Sequence, residues 1–245
     1  MAKRLAAAGV EAVFHDACDA SATPKEDLLA RCEPQGPWGR FRLKDMGCTI
    51  SHLDALAAFL ERDEAYCLML EDDADPSADL GVWLADMSWW PADAEIVKIE
   101  RWRSRKLKVL LGRPAGRHRG RTLRRLHSRH MGTAGYIVSR AGARRVVGHR
   151  PVNMPIDHML FNMNASPLAA QLKTYQVEPA LVKQADQEPG PARPGTSRSD
   201  YDRRETGVAY MMRELKRGLY EIRLAPAQMR QLVGGATLTR PTWKN

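Results

Sequence analysis

Leu53, Leu56, Ala57 and Leu60 recur at three- and four-residue intervals, and that period predicts a helix with one buried stripe. Ser51 stands where a first-turn cap is needed, Asp54 follows three residues on, and Gly47 supplies a tight turn ahead of it. After a short loop at Arg62 to Glu64, the run Tyr66-Cys67-Leu68-Met69-Leu70 is apolar without alternation, which predicts a buried parallel strand. The run stops in Glu71-Asp72-Asp73-Ala74-Asp75. Nearer the start, Met1 to Ala8 reads as the end of a helix that Gly9 stops, ahead of a strand from Val10 to Phe14. Asp157 to Met163 reads as a further helix. Beyond residue 206, Val208, Met211, Met212, Leu215, Leu219 and Ile222 fall on one helical face, and Arg213, Lys216, Arg217 and Arg223 on the other. That basic amphipathic helix suits either packing against the domain or lying on a membrane surface. Pro189, Pro191, Pro194 and Gly195 mark a linker. The chain thus divides into an α/β domain at 1–184, a linker at 185–205, and a helical appendage with a tail at 206–245.

Open α/β sheets bind ligands at the carboxyl ends of their strands, and here that end is loaded with acid. Carboxylates so close repel one another and are best tolerated in water or around a hard cation with oxygen ligands, Mg²⁺ or Mn²⁺. Both readings, a solvated acidic turn and a cation site, stay open on these residues alone. Ser51 and His52 are further ligand candidates, with a structural histidine the plainer alternative.

Asp45-Met46-Gly47-Cys48-Thr49-Ile50-Ser51-His52, followed after a helix by Leu70-Glu71-Asp72-Asp73-Ala74, resembles family 25 of the glycosyltransferases, which contains bacterial lipooligosaccharide galactosyltransferases and the collagen galactosyltransferases. Gly132 to Ala143, Met154-Pro155-Ile156-Asp157-His158 and Val177 to Gln184 fit the same pattern, over about residues 10 to 200. The resemblance implies a GT-A-like fold, an α/β/α Rossmann-like nucleotide-sugar domain whose acidic motif holds a divalent metal on the donor diphosphate. By that likeness Asp72 and Asp73 are metal or donor ligands, with Glu71 supporting them and Ser51 and His52 near the donor. Asp157 is the base that deprotonates the acceptor hydroxyl in an inverting transfer, and His158 assists the metal. Glu100 and Glu178 are alternative bases, and Asp157 has a plainer reading as a helix cap. The implied activity is transfer of galactose from UDP-galactose to a saccharide of lipopolysaccharide or another surface polysaccharide. Members of the family open with a strand that this sequence lacks, which implies either a start further upstream or a noncatalytic member.

Composition narrows the setting. With 245 residues and 44% hydrophobic content the chain can bury a core as one domain. No apolar run approaches a membrane span, and no convincing signal sequence is present, so cytosolic synthesis is expected. Cys18, Cys32, Cys48 and Cys67 lack paired metal spacing and are expected reduced. The net charge of +9 depends on 101–130, which holds 12 Lys or Arg and no acid. Such a patch suits phosphate-rich partners: an anionic membrane surface, a phosphorylated acceptor or nucleic acid. The acidic strand end argues against nucleic acid. Within the patch, Arg113 to Gly120 reads as a loop and His127 with His130 as part of a solvated basic face.

Overall fold

The computed structural model describes residues 1–102, 107–184 and 207–245. In chain order they form α1 (Ala2–Ala7), α2 (Lys25–Arg31), β1 (Gln35–Gly36), β2 (Gly39–Arg40), α3 (Leu43–Leu60), β3 (Tyr66–Leu70), β4 (Ala74–Pro76), α4 (Leu80–Leu84), β5 (Ile96–Lys98) and β6 (Glu100–Arg101). There follow β7 (Val109–His118), β8 (Arg121–Leu126), β9 (Gly135–Ser139), α5 (Arg140–Val147), α6 (Ile156–Phe161), α7 (Pro167–Gln171), β10 (Thr174–Glu178), β11 (Val182–Gln184), α8 (Gly207–Val233) and β12 (Thr237–Thr239). The linker expected at 185–205 lies outside the described residues.

Seven strands form the main sheet in the order β12-β7-β8-β10-β5-β9-β3, and a smaller sheet runs β4-β11-β6. Alternation along the central strands sends side chains to two cores. Ile96, Tyr136 and Val138 join Met46, Ile50, Leu53 and Leu56 of α3 with residues of α2, α5, α6 and α7 on one face. Val97, Ile137 and Val177 join Leu80, Trp83 and Trp89 on the other. The α/β class expected from the sequence is present as a mixed sheet. Among the described residues its one parallel pair is β5 with β10. No described helix is long and apolar enough to cross a membrane.

Several expectations are corrected. Tyr66–Leu70 is a strand, but it lies at the sheet edge, antiparallel to β9, and is half-buried. Its unbroken apolar run arises because Cys67 and Met69 pack on one core while Tyr66, Leu68 and Leu70 pack on the other. Residues 10–14 form no strand; Val13 and Phe14 are exposed. The helix expected to start at Ser51 starts at Leu43, so Ser51 caps nothing: its hydroxyl donates to the Gly47 carbonyl one turn back and accepts from the Cys18 amide. Gly47 sits inside that helix because a Cβ there would meet the Cys18 carbonyl oxygen at 2.8 Å. The helix expected at Asp157 to Met163 runs from Ile156 to Phe161.

The basic segment and the carboxyl-terminal region also differ. Arg113 to Gly120 is mostly strand, within a β7–β8 hairpin that turns at Arg119 and Gly120. Within the strands, Arg121 is buried and Arg124 and Arg125 are half-buried, while Arg113 and Arg117 are exposed. Arg121 is buried on Asp79 and the carbonyls of Pro179 and Ala180, and Arg124 is held by Leu111 and Gly112 carbonyls and by Thr237. His130 is buried, with its Nδ1 on the Met131 carbonyl, and not on a solvated face. The tail is no free appendage: β12 pairs with β7, and Thr242 donates to Glu178. Helix α8 meets the domain through polar contacts, Arg217 to the Trp38 carbonyl, Arg129 with Glu221, and Gln228 to the His127 carbonyl. Its apolar stripe faces outward, with Val208 at 72% exposure and Ile222 at 69%.

Candidate active site

The register of β3 on β9 pairs Leu70 with Gly135, which brings the residues just beyond both strand ends together. Glu71 N–H donates to the Ala134 carbonyl at 3.3 Å, and Thr133 Oγ1 donates to Glu71 Oε1. Beneath this junction lies a fully buried ion pair. Lys98 and Glu100 share one face of β5 and β6, with Nζ 2.8 Å from Oε2. Lys98 also donates to the Gly132 carbonyl, and Glu100 accepts from the Ala134 amide at 3.0 Å. The segment 132–134 is therefore pinned from below. Gly132 has φ +78, and a Cβ there would lie 2.5 Å from both Glu100 Oε1 and Trp102 Cε3, so glycine alone fits.

One face of α3 forms the opposite wall. Cys48 and His52, four residues apart, lie side by side on it. His52 Nδ1 is 3.0 Å from the Tyr136 hydroxyl, and Nε2 is 3.5 Å from Glu71 Oε1. Thr49 ties this helix to the next element: its hydroxyl accepts from the Ile156 amide at 3.0 Å, which fixes the start of α6. Asp157 follows at once. Its Oδ1 accepts from the His158 amide at 2.8 Å, and its Oδ2 lies 3.4 Å from the Gly132 amide that donates to it.

Electrostatics distinguish the three acids of the turn. Burial pushes the Glu71 carboxyl up, but hydrogen bonds from His52 and Thr133 and the charges of His52 and Lys98 outweigh it and hold the group below its ordinary value. Asp73 goes the other way. Burial first, then the charges of Glu71 and Asp72, raise its carboxyl, and Oδ1 is buried with no hydrogen-bond partner. Asp72 is exposed, and its carbonyl accepts from Arg4 of α1 at 2.8 Å. Cys48 is an exposed residue whose thiol is nonetheless pushed up to about 12, first by enclosure of the sulfur and then by Glu71, Asp157, Asp45 and Asp73. Four carboxylates thus act on one point of α3.

His158 stands at the other side of this space. It is buried and held below its usual pKa by that burial, with Nδ1 3.0 Å from Asn162 Nδ2 and its ring 4.8 Å from that of Trp38. Arg217 of α8 lies 4.5 Å and Arg129 5.2 Å over the same Trp38 ring. Asp72, Asp73 and His158 do not converge as a ligand trio. Among the described residues, the three metal-ligating groups that do converge are Cys48, His52 and Glu71, with ligand atoms all within 4.8 Å of one another.

The alternative bases are less accessible. Glu100 is fully buried on Lys98, and Glu178 accepts from Thr242 of the tail. Of the residues that build the site, Thr133, Tyr136, Trp38 and Lys98 carry no role in the sequence reading. Lys98 and Glu100 at a spacing of two within an apolar strand are the one signal there to be read, since alternation puts both on one face. No match was found among curated proteins. The sequence model of glycosyltransferase family 25 (LPS biosynthesis protein) matches residues 1–160, a span that carries the α3 face, the acidic turn, Thr133 and Asp157, and the chain belongs to that family.

Proposed function

We propose that the protein transfers a hexose, galactose from UDP-galactose, to a saccharide acceptor of lipopolysaccharide or another surface polysaccharide, with inversion and with a divalent metal. The family implies the sugar donor and saccharide acceptor; galactose and inversion follow the family resemblance, and the metal rests on the site. The observation that carries the metal is Asp73, whose buried, partnerless oxygen and raised carboxyl beside Glu71 and Asp72 are the electrostatic situation a hard cation relieves. Asp72 and Asp73 therefore suit Mn²⁺ or Mg²⁺, which when bound offsets the charge developing on a departing diphosphate. Glu71, fixed by Thr133 and His52, supports the turn that presents them. Asp157 accepts the proton of the acceptor hydroxyl: the amides of Gly132 and His158 engage its two oxygens and orient it. His158, neutral through burial, borders the acceptor side together with Trp38.

The outward apolar stripe of α8 supports peripheral contact with the anionic inner face of a membrane, where a lipid-linked acceptor is found. That stripe runs from Val208 to Ile222, about 21 Å along the helix at 1.5 Å per residue. The reading makes the protein cytoplasmic and membrane-peripheral.

Turnover of UDP-galactose, as transfer or as slow hydrolysis in the presence of Mn²⁺, tests this reading against UDP-glucose and other UDP-hexoses. Asp73→Asn is expected to abolish turnover while thermal stability holds or rises, since a repelled charge is removed. Full activity in that variant or in chelator overturns the metal assignment, and preference for another donor overturns galactose.

A further inference from the structure

We propose that Cys48, His52 and Glu71 form a second, thiophilic metal site, selective for Zn²⁺ or Co²⁺ over Mg²⁺ and Mn²⁺. It is distinct in chemistry from the hard-cation site at Asp72 and Asp73 and does not rest on the transferase reading. The three groups converge from two elements, Cys48 and His52 one turn apart on α3 and Glu71 at the end of β3. Their ligand atoms already lie within 4.8 Å of one another. In a tetrahedral zinc site with a metal–sulfur bond near 2.3 Å and a metal–nitrogen bond near 2.0 Å, ligand atoms stand about 3.5 Å apart. His52 Nε2 and Glu71 Oε1 are at that separation, 3.5 Å, so only the Cys48 side chain has to turn inward.

The surroundings match what each ligand needs. A histidine that binds metal through Nε2 donates its Nδ1 proton to an acceptor behind it. The Tyr136 hydroxyl stands there at 3.0 Å, buried and kept neutral by that burial. Thr133 donates to Glu71 Oε1 and orients the carboxylate, and that oxygen keeps a second lone pair for a metal. The carboxylates of Asp157, Asp45 and Asp73, which disfavour a bare thiolate at Cys48, create the negative potential that draws a divalent cation. Binding exchanges the thiol proton for the metal: the S–H bond breaks, a sulfur–metal bond forms, and one proton passes to solvent. The thiolate and imidazole select a borderline-soft ion. Because Cys48 is exposed, the fourth position opens to solvent, in the pattern of three protein ligands with one open place.

Titration of the metal-free, reduced protein with Co²⁺ tests this. The expected result is one equivalent bound with a near-ultraviolet thiolate-to-cobalt charge-transfer band and the visible bands of a tetrahedral ion, displaced by Zn²⁺ and not by excess Mg²⁺. Cys48→Ser removes the charge-transfer band at unchanged melting temperature, whereas Cys67→Ser, a control at a half-buried thiol of β3, keeps it. Glu71→Gln weakens Co²⁺ binding at least tenfold. The proposal is overturned if Co²⁺ binds with no charge-transfer band, or if the band survives Cys48→Ser. The first outcome together with loss of binding in Asp73→Asn leaves the hard-cation reading intact, so the two sites fail independently.

Discussion

Lys98→Met takes away one member of the ion pair beneath the site while preserving the length of the side chain. Both partners have 0% side-chain exposure and stand 2.8 Å apart, so the remaining Glu100 carboxylate has no water to turn to. Removing one partner of a buried pair typically destabilises by about 3–5 kcal/mol, because the other charge is left uncompensated. Two further effects bear on the size. The hydrogen bond from Lys98 to the Gly132 carbonyl is lost, which adds about 1 kcal/mol. Against that, burial already holds the Glu100 carboxyl above its ordinary 4.5 even beside Lys98, so in the variant it takes up a proton and sheds part of the penalty. A loss of about 3 kcal/mol at neutral pH follows, a large share of the roughly 5–15 kcal/mol of an ordinary domain. With a raised folded-state value, the folded form binds the proton more tightly than the unfolded one. The deficit therefore grows as pH rises from about 4.5 through the folded value. Urea unfolding followed by tryptophan fluorescence measures it, at pH 5 and pH 8. Lys98→Met/Glu100→Gln should recover part of the stability, since no charge is then buried alone. A loss below about 1 kcal/mol with no pH dependence refutes the account.

Three other outcomes are expected. Asp157→Asn should lower transfer by about 10²- to 10⁴-fold while donor binding and melting temperature hold; full turnover with a lowered melting temperature would instead make Asp157 a helix-start residue. His130 and His158 are buried and held below their ordinary 6.5, so the unfolded chain binds protons the folded chain does not. Their contribution is complete above that value and is lost as pH falls below it, at up to about 1.4 kcal/mol per pH unit for each; urea midpoints that stay flat from pH 7 to pH 5 contradict this. Leu215→Glu with Leu219→Glu, both on the exposed stripe, should abolish binding to anionic vesicles at unchanged melting temperature, and undiminished binding would move the membrane contact elsewhere.

Local pattern carried the elements and topology decided their neighbours. The apolar run at Tyr66–Leu70 announces a strand with both faces covered, and both are covered, yet nothing within those five residues encodes an edge position antiparallel to β9. Ser51 resembles a cap in sequence, since Ser with an acid three residues on is the usual signature. The extra two turns before it, Leu43 to Ile50, bury Met46, Gly47, Thr49 and Ile50 against residues remote in sequence, and that burial extends the helix through the signal. The same burial puts Thr49 where it holds the Ile156 amide, so the acid at 157 reaches the site through a contact that spans 107 positions. Thr133 and Tyr136 escape sequence reading for a related reason: each matters through one hydrogen bond to a residue on another element, and neither bond leaves a periodicity.

Helix α8 has the two faces its amphipathic pattern announces, and the pattern left their orientation open. Period 3.6 identifies two faces but does not say which one turns inward; that depends on what the domain offers. Here the domain offers Trp38, whose ring and carbonyl both engage Arg217, and Arg129, which pairs with Glu221. A guanidinium satisfies an aromatic face and a carbonyl at once, so the polar side of the helix docks and the apolar side is left outside. The contact has a consequence for the site. The Trp38 ring lies tilted 4.8 Å from that of His158, the neighbour of Asp157, so the helix that exposes an apolar stripe also reaches the wall of the candidate site. Arg217, Trp38 and His158 thus form one run of contacts from the helix that carries the exposed stripe to the residue beside Asp157.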